Sequence, residues 1–209
     1  VEWARCAILI DIDKTLLGPR GRSDGAIDDA RSEAALAVAA DALGDALDVP
    51  AFRRIYAELC RKEWHGFTLD NQDYVAAAAL LLATGAADLE ELRAEVAAGE
   101  ASFGDFLAAT ALDVRPELAP LHAELRARVA EGDPTPFKAF RRAELTATLA
   151  RMADGRLTIC GVLFTHCRDL ARRGALLLAA SDKPAESALP SPQQLAAGML
   201  PLHRMPARL

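Results

Sequence analysis

Residues 7–16, AILIDIDKTL, place two acidic residues directly after a short apolar run. Four consecutive apolar residues, Ala7 to Ile10, are typical of a buried β-strand when polar residues follow them. Asp11 and Asp13 come next, and carboxylates at the end of a buried strand are costly unless they are paired or used. Side chains two positions apart on an extended strand point the same way. The sequence therefore predicts that both carboxylates face one functional site.

The rest of the chain has a long helical block in the middle and strand-like segments towards its end. From Ala26 to about Met152, apolar residues recur mostly at helical spacing. Residues 156–160, RLTIC, and 175–180, ALLLAA, are short β-prone runs separated by a predicted helix, and this order favours a parallel sheet. We expect both runs to be parallel neighbours of the first strand, residues 6–10.

This order of elements predicts an α/β protein with a small Rossmann-like parallel-sheet core and a large all-helical cap inserted into it. The core would comprise residues 1–21 and 136–209, and the cap residues 22–135. Ligands of open parallel sheets bind beyond the carboxyl ends of the strands, where Asp11 and Asp13 would lie. Paired carboxylates there suit Mg²⁺, and one of them could attack phosphorus while the other moves a proton.

The segment DIDKT, residues 11–15, resembles the first motif, D-x-D-x-T, of the haloacid dehalogenase (HAD) superfamily. A second aspartate and a helical cap inserted after the motif are typical of its phosphatase branch. The resemblance implies that Asp11 is the nucleophile, forming an aspartyl-phosphate. It implies that Asp13 is the general acid and base, binding Mg²⁺ through its main-chain carbonyl, with Thr15 as a supporting phosphate-binding residue. The implied activity is Mg²⁺-dependent hydrolysis of a small phosphoric monoester.

The second HAD motif is a threonine or serine at the end of the next core strand, and here Cys160 stands in its place. Cys160 is therefore the candidate phosphate-binding residue, although a thiol is a weaker hydrogen-bond donor than a hydroxyl. This departure favours an alternative function, a catalytically weak or inactive HAD-like binding or regulatory protein. An all-helical interaction protein with incidental strand ends is a third interpretation.

The segment SDKPAE, residues 181–186, can be matched to the remaining HAD motifs in two ways. In one, Lys183 is the third-motif lysine that neutralises the phosphate. In the other, Asp182 and Glu186 form the acidic fourth motif and complete the metal site of Asp11 and Asp13. We prefer the second because a metal needs that ligand, with Lys183 still able to reach the phosphate.

Charge and composition exclude several classes of partner. With 30 acidic and 24 basic residues the net charge is −6, and no basic stripe indicates a nucleic-acid partner. The longest apolar run, residues 75–83, is too short to span a bilayer, and no signal peptide is expected. The four cysteines form no C-x-x-C pair, which indicates free thiols and a cytoplasmic protein. The identity of the phosphate ester and the oligomeric state stay open.

Overall fold

The structure, a computed structural model, describes residues 2–181 and 183–204 except for the side chain of His203. Two strands, β1 (Ala7–Asp11) and β2 (Leu176–Ala180), lie near the two ends of the chain. The helices are α1 (Gly25–Leu43), α2 (Val49–Leu59), α3 (His65–Thr68), α4 (Gln72–Ala83), α5 (Leu89–Ala98), α6 (Phe103–Ala109), α7 (Ala119–Ala130), α8 (Lys138–Ala153), α9 (Gly161–Arg172), α10 (Ala185–Ala188) and α11 (Pro192–Ala196). Among the described residues, no helix is both long enough and apolar enough to cross a membrane.

The prediction of a Rossmann-like sheet core is wrong, because the protein is mostly helical. Helices account for 64% of the structure and strands for 6%, and the described sheet has two strands. Residues 156–160 do not form the predicted third strand; Ile159 makes only an isolated antiparallel bridge with Leu17. The physical reason lies in the hydrogen bonds of residues 154–160, which link α8 to α9. The backbone of this link bonds to the turn after β1, through Cys160 to Leu16, rather than to β1 itself.

The predicted parallel pairing of the first strand with residues 175–180 is confirmed. β1 pairs with β2 in a register that sets Asp11 opposite Ala180, and the amide of Ile12 extends the ladder by donating to the carbonyl of Ala180 (3.0 Å). One face of this sheet remains exposed, with Leu9 71% accessible. Because both strands run in the same direction, the residues that follow Asp11 and Ala180 leave the sheet at the same end.

The chain divides into two compact units, one of residues 1–31 with 144–209 and one of residues 32–143. The chain leaves the first unit within α1, after Arg31, and re-enters it within α8, at Glu144. The domain boundaries expected from the sequence, a core of residues 1–21 and 136–209 and a cap of residues 22–135, stay a prediction.

The unit of residues 32–143 is built around α4, which is buried along almost its whole length. Residues 75–83 are alanine, valine and leucine only, so α4 lacks a polar face and must be surrounded by other helices. α2 packs against it through a face that includes Phe52 and Leu59. The carboxylate of Asp48 caps α2 by accepting from the amide of Ala51 (2.9 Å).

A charged pair lies inside this helical unit. Asp73, in the first turn of α4, is fully buried, and its Oδ1 lies 2.9 Å from Nε of Arg141 on α8. A buried charge is tolerated when an opposite charge accompanies it. The pair therefore joins the first turn of α4 to α8.

The unit of residues 1–31 and 144–209 has a smaller apolar core. Its buried members are Leu17, Ile27, Leu145, Leu149, Leu157 and Leu202. Leu17 lies just after β1, so this core anchors the segment that carries the two aspartates and the threonine of DIDKT.

Gly18 is required at the edge of this core, and its replacement by alanine is expected to destabilise the protein. Its φ is +62°, and an added Cβ would lie 2.8 Å from Cδ1 of both Ile27 and Leu157. Gly21 has a similar φ of +76° but open space around it, so Gly21→Ala carries only the conformational cost of about 1–2 kcal/mol. Gly18→Ala should cost at least about 1 kcal/mol more because the core must shift. Urea unfolding of both variants measures the difference, and equal midpoints would contradict this account.

Candidate functional site

The chain forms a turn directly after β1, at residues 12–17. The amide of Lys14 donates to the carbonyl of Leu17 (2.9 Å), and the amide of Leu17 donates to the carbonyl of Ile12 (2.8 Å). Lys14 adopts a left-handed conformation with φ 57°, which residues other than glycine rarely adopt. Backbone strain of this kind is found preferentially at functional sites.

Asp11 and Thr15 are brought together by this turn. The Thr15 hydroxyl donates to Oδ2 of Asp11 at 2.6 Å, a short distance typical of bonds to a charged oxygen. Both residues are exposed. The Thr15 hydroxyl thus orients one oxygen of a carboxylate that a ligand can reach.

Asp13 meets Lys183, which lies 170 positions later in the chain. The distance from Lys183 Nζ to Asp13 Oδ2 is 3.9 Å, and the two side chains are only 4% and 14% exposed. The strand register explains the meeting, since Asp13 and Lys183 lie two and three residues beyond the paired residues Asp11 and Ala180. We refer to Asp11, Asp13, Thr15 and Lys183 as the candidate site.

Lys183 also contacts Glu144 of α8, a residue that no sequence motif indicated. Its Nζ donates to Glu144 Oε1 at 2.8 Å, and the Glu144 side chain is 1% exposed. Arg31 of α1 donates to the same oxygen through Nε at 3.3 Å. Glu144 therefore has at least two cationic partners, one of which belongs to the candidate site.

Lys14, the lysine of the DIDKT segment, contacts another carboxylate that no sequence motif indicated, that of Asp28. Nζ of Lys14 lies 2.8 and 3.0 Å from the two carboxylate oxygens of Asp28 on α1, and Arg31 Nη1 lies 3.5 Å from Asp28 Oδ1. Asp28 is more than half exposed, so this ion pair contributes little to stability. Its bidentate geometry still fixes where the Lys14 side chain lies.

Cys160 lies against the turn after β1, although not as the end of a strand. Its amide donates to the carbonyl of Leu16 at 2.7 Å, and Cys160 is the N-cap residue of α9. The Cys160 side chain makes no capping hydrogen bond within the described structure. Cys160 thus lies beside the turn after β1, and its role as a phosphate-binding residue stays a prediction.

Of the two acidic ligands predicted after β2, only Glu186 lies among the described residues. Asp182 lies outside the described residues, and Glu186 is a half-buried residue in the first turn of α10. Within the described part of the chain, no group of three or more histidine, cysteine, aspartate or glutamate side chains is placed to hold a metal ion. The assignments of Asp182 and Glu186 to a metal site stay predictions.

Mg²⁺ in proteins takes one or two carboxylates and completes its shell with water and substrate phosphate. Of the predicted donors, Asp11 has an exposed carboxylate and Asp13 lies in the adjacent turn, and the Mg²⁺ site stays a prediction. Oxygen donors of this kind are hard ligands, which Mg²⁺ prefers over nitrogen or sulfur.

Comparison with known proteins adds no relative. No family model matches the chain, and neither a curated protein nor a solved structure is significantly similar to it. The function must therefore be inferred from the candidate site itself.

Proposed function

We propose that the protein is a Mg²⁺-dependent phosphatase that hydrolyses a small phosphorylated metabolite through an aspartyl-phosphate intermediate. The observation that carries this proposal is the approach of Lys183 to Asp13 at the carboxyl end of β1 (3.9 Å). A lysine ammonium group can stabilise the charge of a transferring phosphoryl group, and a carboxylate beside it can act as general acid and base. The resemblance of residues 11–15 to the D-x-D-x-T motif supports the same reaction.

In the first step, a carboxylate oxygen of Asp11 attacks phosphorus. The bond between phosphorus and the ester oxygen breaks, and the leaving oxygen takes a proton from Asp13. The Thr15 hydroxyl holds Oδ2 of Asp11 at 2.6 Å, which leaves Oδ1 for the attack. The products are an alcohol and an acyl phosphate on Asp11.

In the second step, water hydrolyses the acyl phosphate. Asp13, now ionised, takes a proton from the water as its oxygen attacks phosphorus. The bond between phosphorus and Asp11 breaks, inorganic phosphate is released, and both aspartates return to their starting states.

In this scheme two cations stabilise the negative charge of the phosphoryl group. The Lys183 ammonium binds its oxygens as a compact positive charge. The groups that would hold Mg²⁺ are the carboxylates of Asp11 and Asp182 and the main-chain carbonyl of Asp13. Bound Mg²⁺ would neutralise negative charge on the phosphoryl group. The four cysteines are free thiols, which supports a reducing compartment such as the cytoplasm as part of the proposal.

A catalytically weak or inactive binding protein is the second candidate function, and Cys160 is the observation that favours it. Where a hydroxyl would hold the phosphate, the chain offers a thiol at the N-cap of α9, a weak donor. Cys160→Thr replaces it by a residue that both donates strongly and caps helices well. If the protein is an enzyme, this variant is expected to keep or increase turnover.

The proposed function is tested by measuring release of inorganic phosphate from a panel of small phosphate monoesters, with Mg²⁺ and with excess chelator. We expect at least one ester to be hydrolysed with Mg²⁺ and hydrolysis to stop with the chelator. Absence of hydrolysis by both the wild type and Cys160→Thr would overturn the enzymatic proposal in favour of the binding protein. Turnover unaffected by the chelator would overturn the role of Mg²⁺.

A further inference from the structure

Glu144 carries a buried negative charge at the point where α8 enters the unit of the candidate site. Its side chain is 1% exposed, and the next residue, Leu145, belongs to the apolar core of that unit. Removing a carboxylate from water costs several kcal/mol unless cations compensate it. Lys183 at 2.8 Å and Arg31 at 3.3 Å supply that compensation.

The Lys183 ammonium group lies closer to Glu144 than to Asp13. A lysine side chain has four flexible methylenes, so its ammonium group lies where charges of opposite sign hold it. The Glu144 contact is a charge-assisted hydrogen bond of 2.8 Å, whereas Asp13 is reached only at 3.9 Å. The shorter contact, made in a buried setting, is the stronger of the two.

We propose that Glu144 is the positioning residue of the candidate site, fixing the Lys183 ammonium beside Asp13 so that it can bind an anionic oxygen. Glu144 does not itself touch the ligand. Lys183 and Glu144 alone would form a neutral pair, whereas Arg31 adds a second positive charge beside Glu144, so Lys183 keeps positive charge for a ligand. The part of this role that concerns phosphate rests on the proposed function, whereas the fixing of Lys183 does not.

Chemical labelling of lysines tests the positioning role without any substrate. Acetic anhydride is added to the wild type and to Glu144→Gln, which keeps the size of the side chain and removes its charge. Because Glu144→Gln removes the charge from this hydrogen bond, Lys183 should be acetylated at least about tenfold faster in the variant. Mass spectrometry measures its rate against that of Lys62, which is exposed.

Two controls separate this effect from general loosening. Lys138, largely buried beside Asp133, should stay protected in Glu144→Gln. Glu124→Gln removes an exposed carboxylate that has its own cation, Arg128, at 2.8 Å, and should leave the Lys183 rate unchanged. Glu144→Asp keeps the charge and should restore much of the protection.

Phosphate binding supplies the second measurement. In an active protein, the inhibition constant for inorganic phosphate should rise about tenfold in Glu144→Gln, and it should rise less in Glu144→Asp. A purely structural role would instead lower the amount of active protein and leave the inhibition constant unchanged.

The two proposals fail in different ways. Equal labelling of Lys183 in the wild type and Glu144→Gln overturns the positioning role, whatever the activity. Accelerated labelling in a chain that hydrolyses no phosphate ester overturns the proposed function and supports the positioning role.

If Glu144→Gln does not fold, the wild type is labelled alone in molar sodium chloride. Lys183 must then still react at least about tenfold more slowly than Lys62, because a buried pair is poorly screened.

Discussion

Asp11→Asn is expected to abolish phosphatase turnover, lowering kcat on the order of 10⁶-fold, as removal of an enzyme's nucleophile does. An amide does not attack phosphorus at neutral pH, so no covalent intermediate can form. The fold should persist, because the amide oxygen can still accept the Thr15 hydroxyl that binds Oδ2 at 2.6 Å. Phosphate release against the most active ester of the panel measures the loss, and circular dichroism checks the fold.

Asp29→Asn is the matched control for this variant. It makes the same chemical change at an exposed residue of α1 and should leave turnover unchanged. Beryllium fluoride, a mimic of the phosphoryl group on an aspartate, should bind the wild type and fail to bind Asp11→Asn. Turnover that survives Asp11→Asn undiminished would show that this carboxylate is not the nucleophile.

Asp73→Ala is expected to give the largest loss of stability, about 3–5 kcal/mol. The substitution removes the carboxylate that lies 2.9 Å from Arg141 Nε inside the helical unit. Urea unfolding followed by the fluorescence of Trp64, which is buried in the same unit, measures the loss. A Trp3→Phe background leaves Trp64 as the sole tryptophan, since the chain has two.

Glu90→Ala provides the comparison on the surface of the same unit. Glu90 also lies in the first turn of a helix, α5, and faces Arg93 at 3.4 Å, but its side chain is 75% exposed. Its removal should cost no more than about 1 kcal/mol. Replacing both members of the buried pair, Asp73→Leu with Arg141→Met, should recover most of the stability. Equal losses in Asp73→Ala and Glu90→Ala would show that the buried pair has no special weight.

The two strands could be predicted from the sequence because each is a short apolar run bounded by polar or turn residues. Their parallel pairing could be predicted as well, since a helical pattern precedes the second run. The size of the sheet could not. Residues 156–160 have the composition of a strand, but their backbone groups bond to the turn at residues 16–18 instead, and local pattern does not reveal such a tertiary preference.

The sequence predicts all four residues of the candidate site, but it does not reveal which charges hold Lys183. Asp11, Asp13 and Thr15 form one short segment, whereas the place of Lys183 follows from the strand register. Glu144 could have been found from the periodicity of α8. It lies four residues after buried Phe140 and four before buried Thr148, so it falls on the buried face, where an acidic residue needs a cation. Which cation it meets depends on the tertiary fold.

The register of β1 against β2 also has a consequence for biosynthesis. Residues 32–143 form a helical unit from one uninterrupted stretch of chain, and such local structures fold quickly. β1 cannot form its strand pairing until β2 is synthesised, and the first paired residue of β2 comes 169 positions later. At ribosomal rates of about 5–20 residues per second, this delay is roughly ten to thirty seconds. During that time the leucine and isoleucines of β1 lack their partner strand, and unpaired apolar strands make a nascent chain prone to aggregate. Asp11 is synthesised well before Lys183, so the candidate site is completed only after Lys183 has left the ribosome.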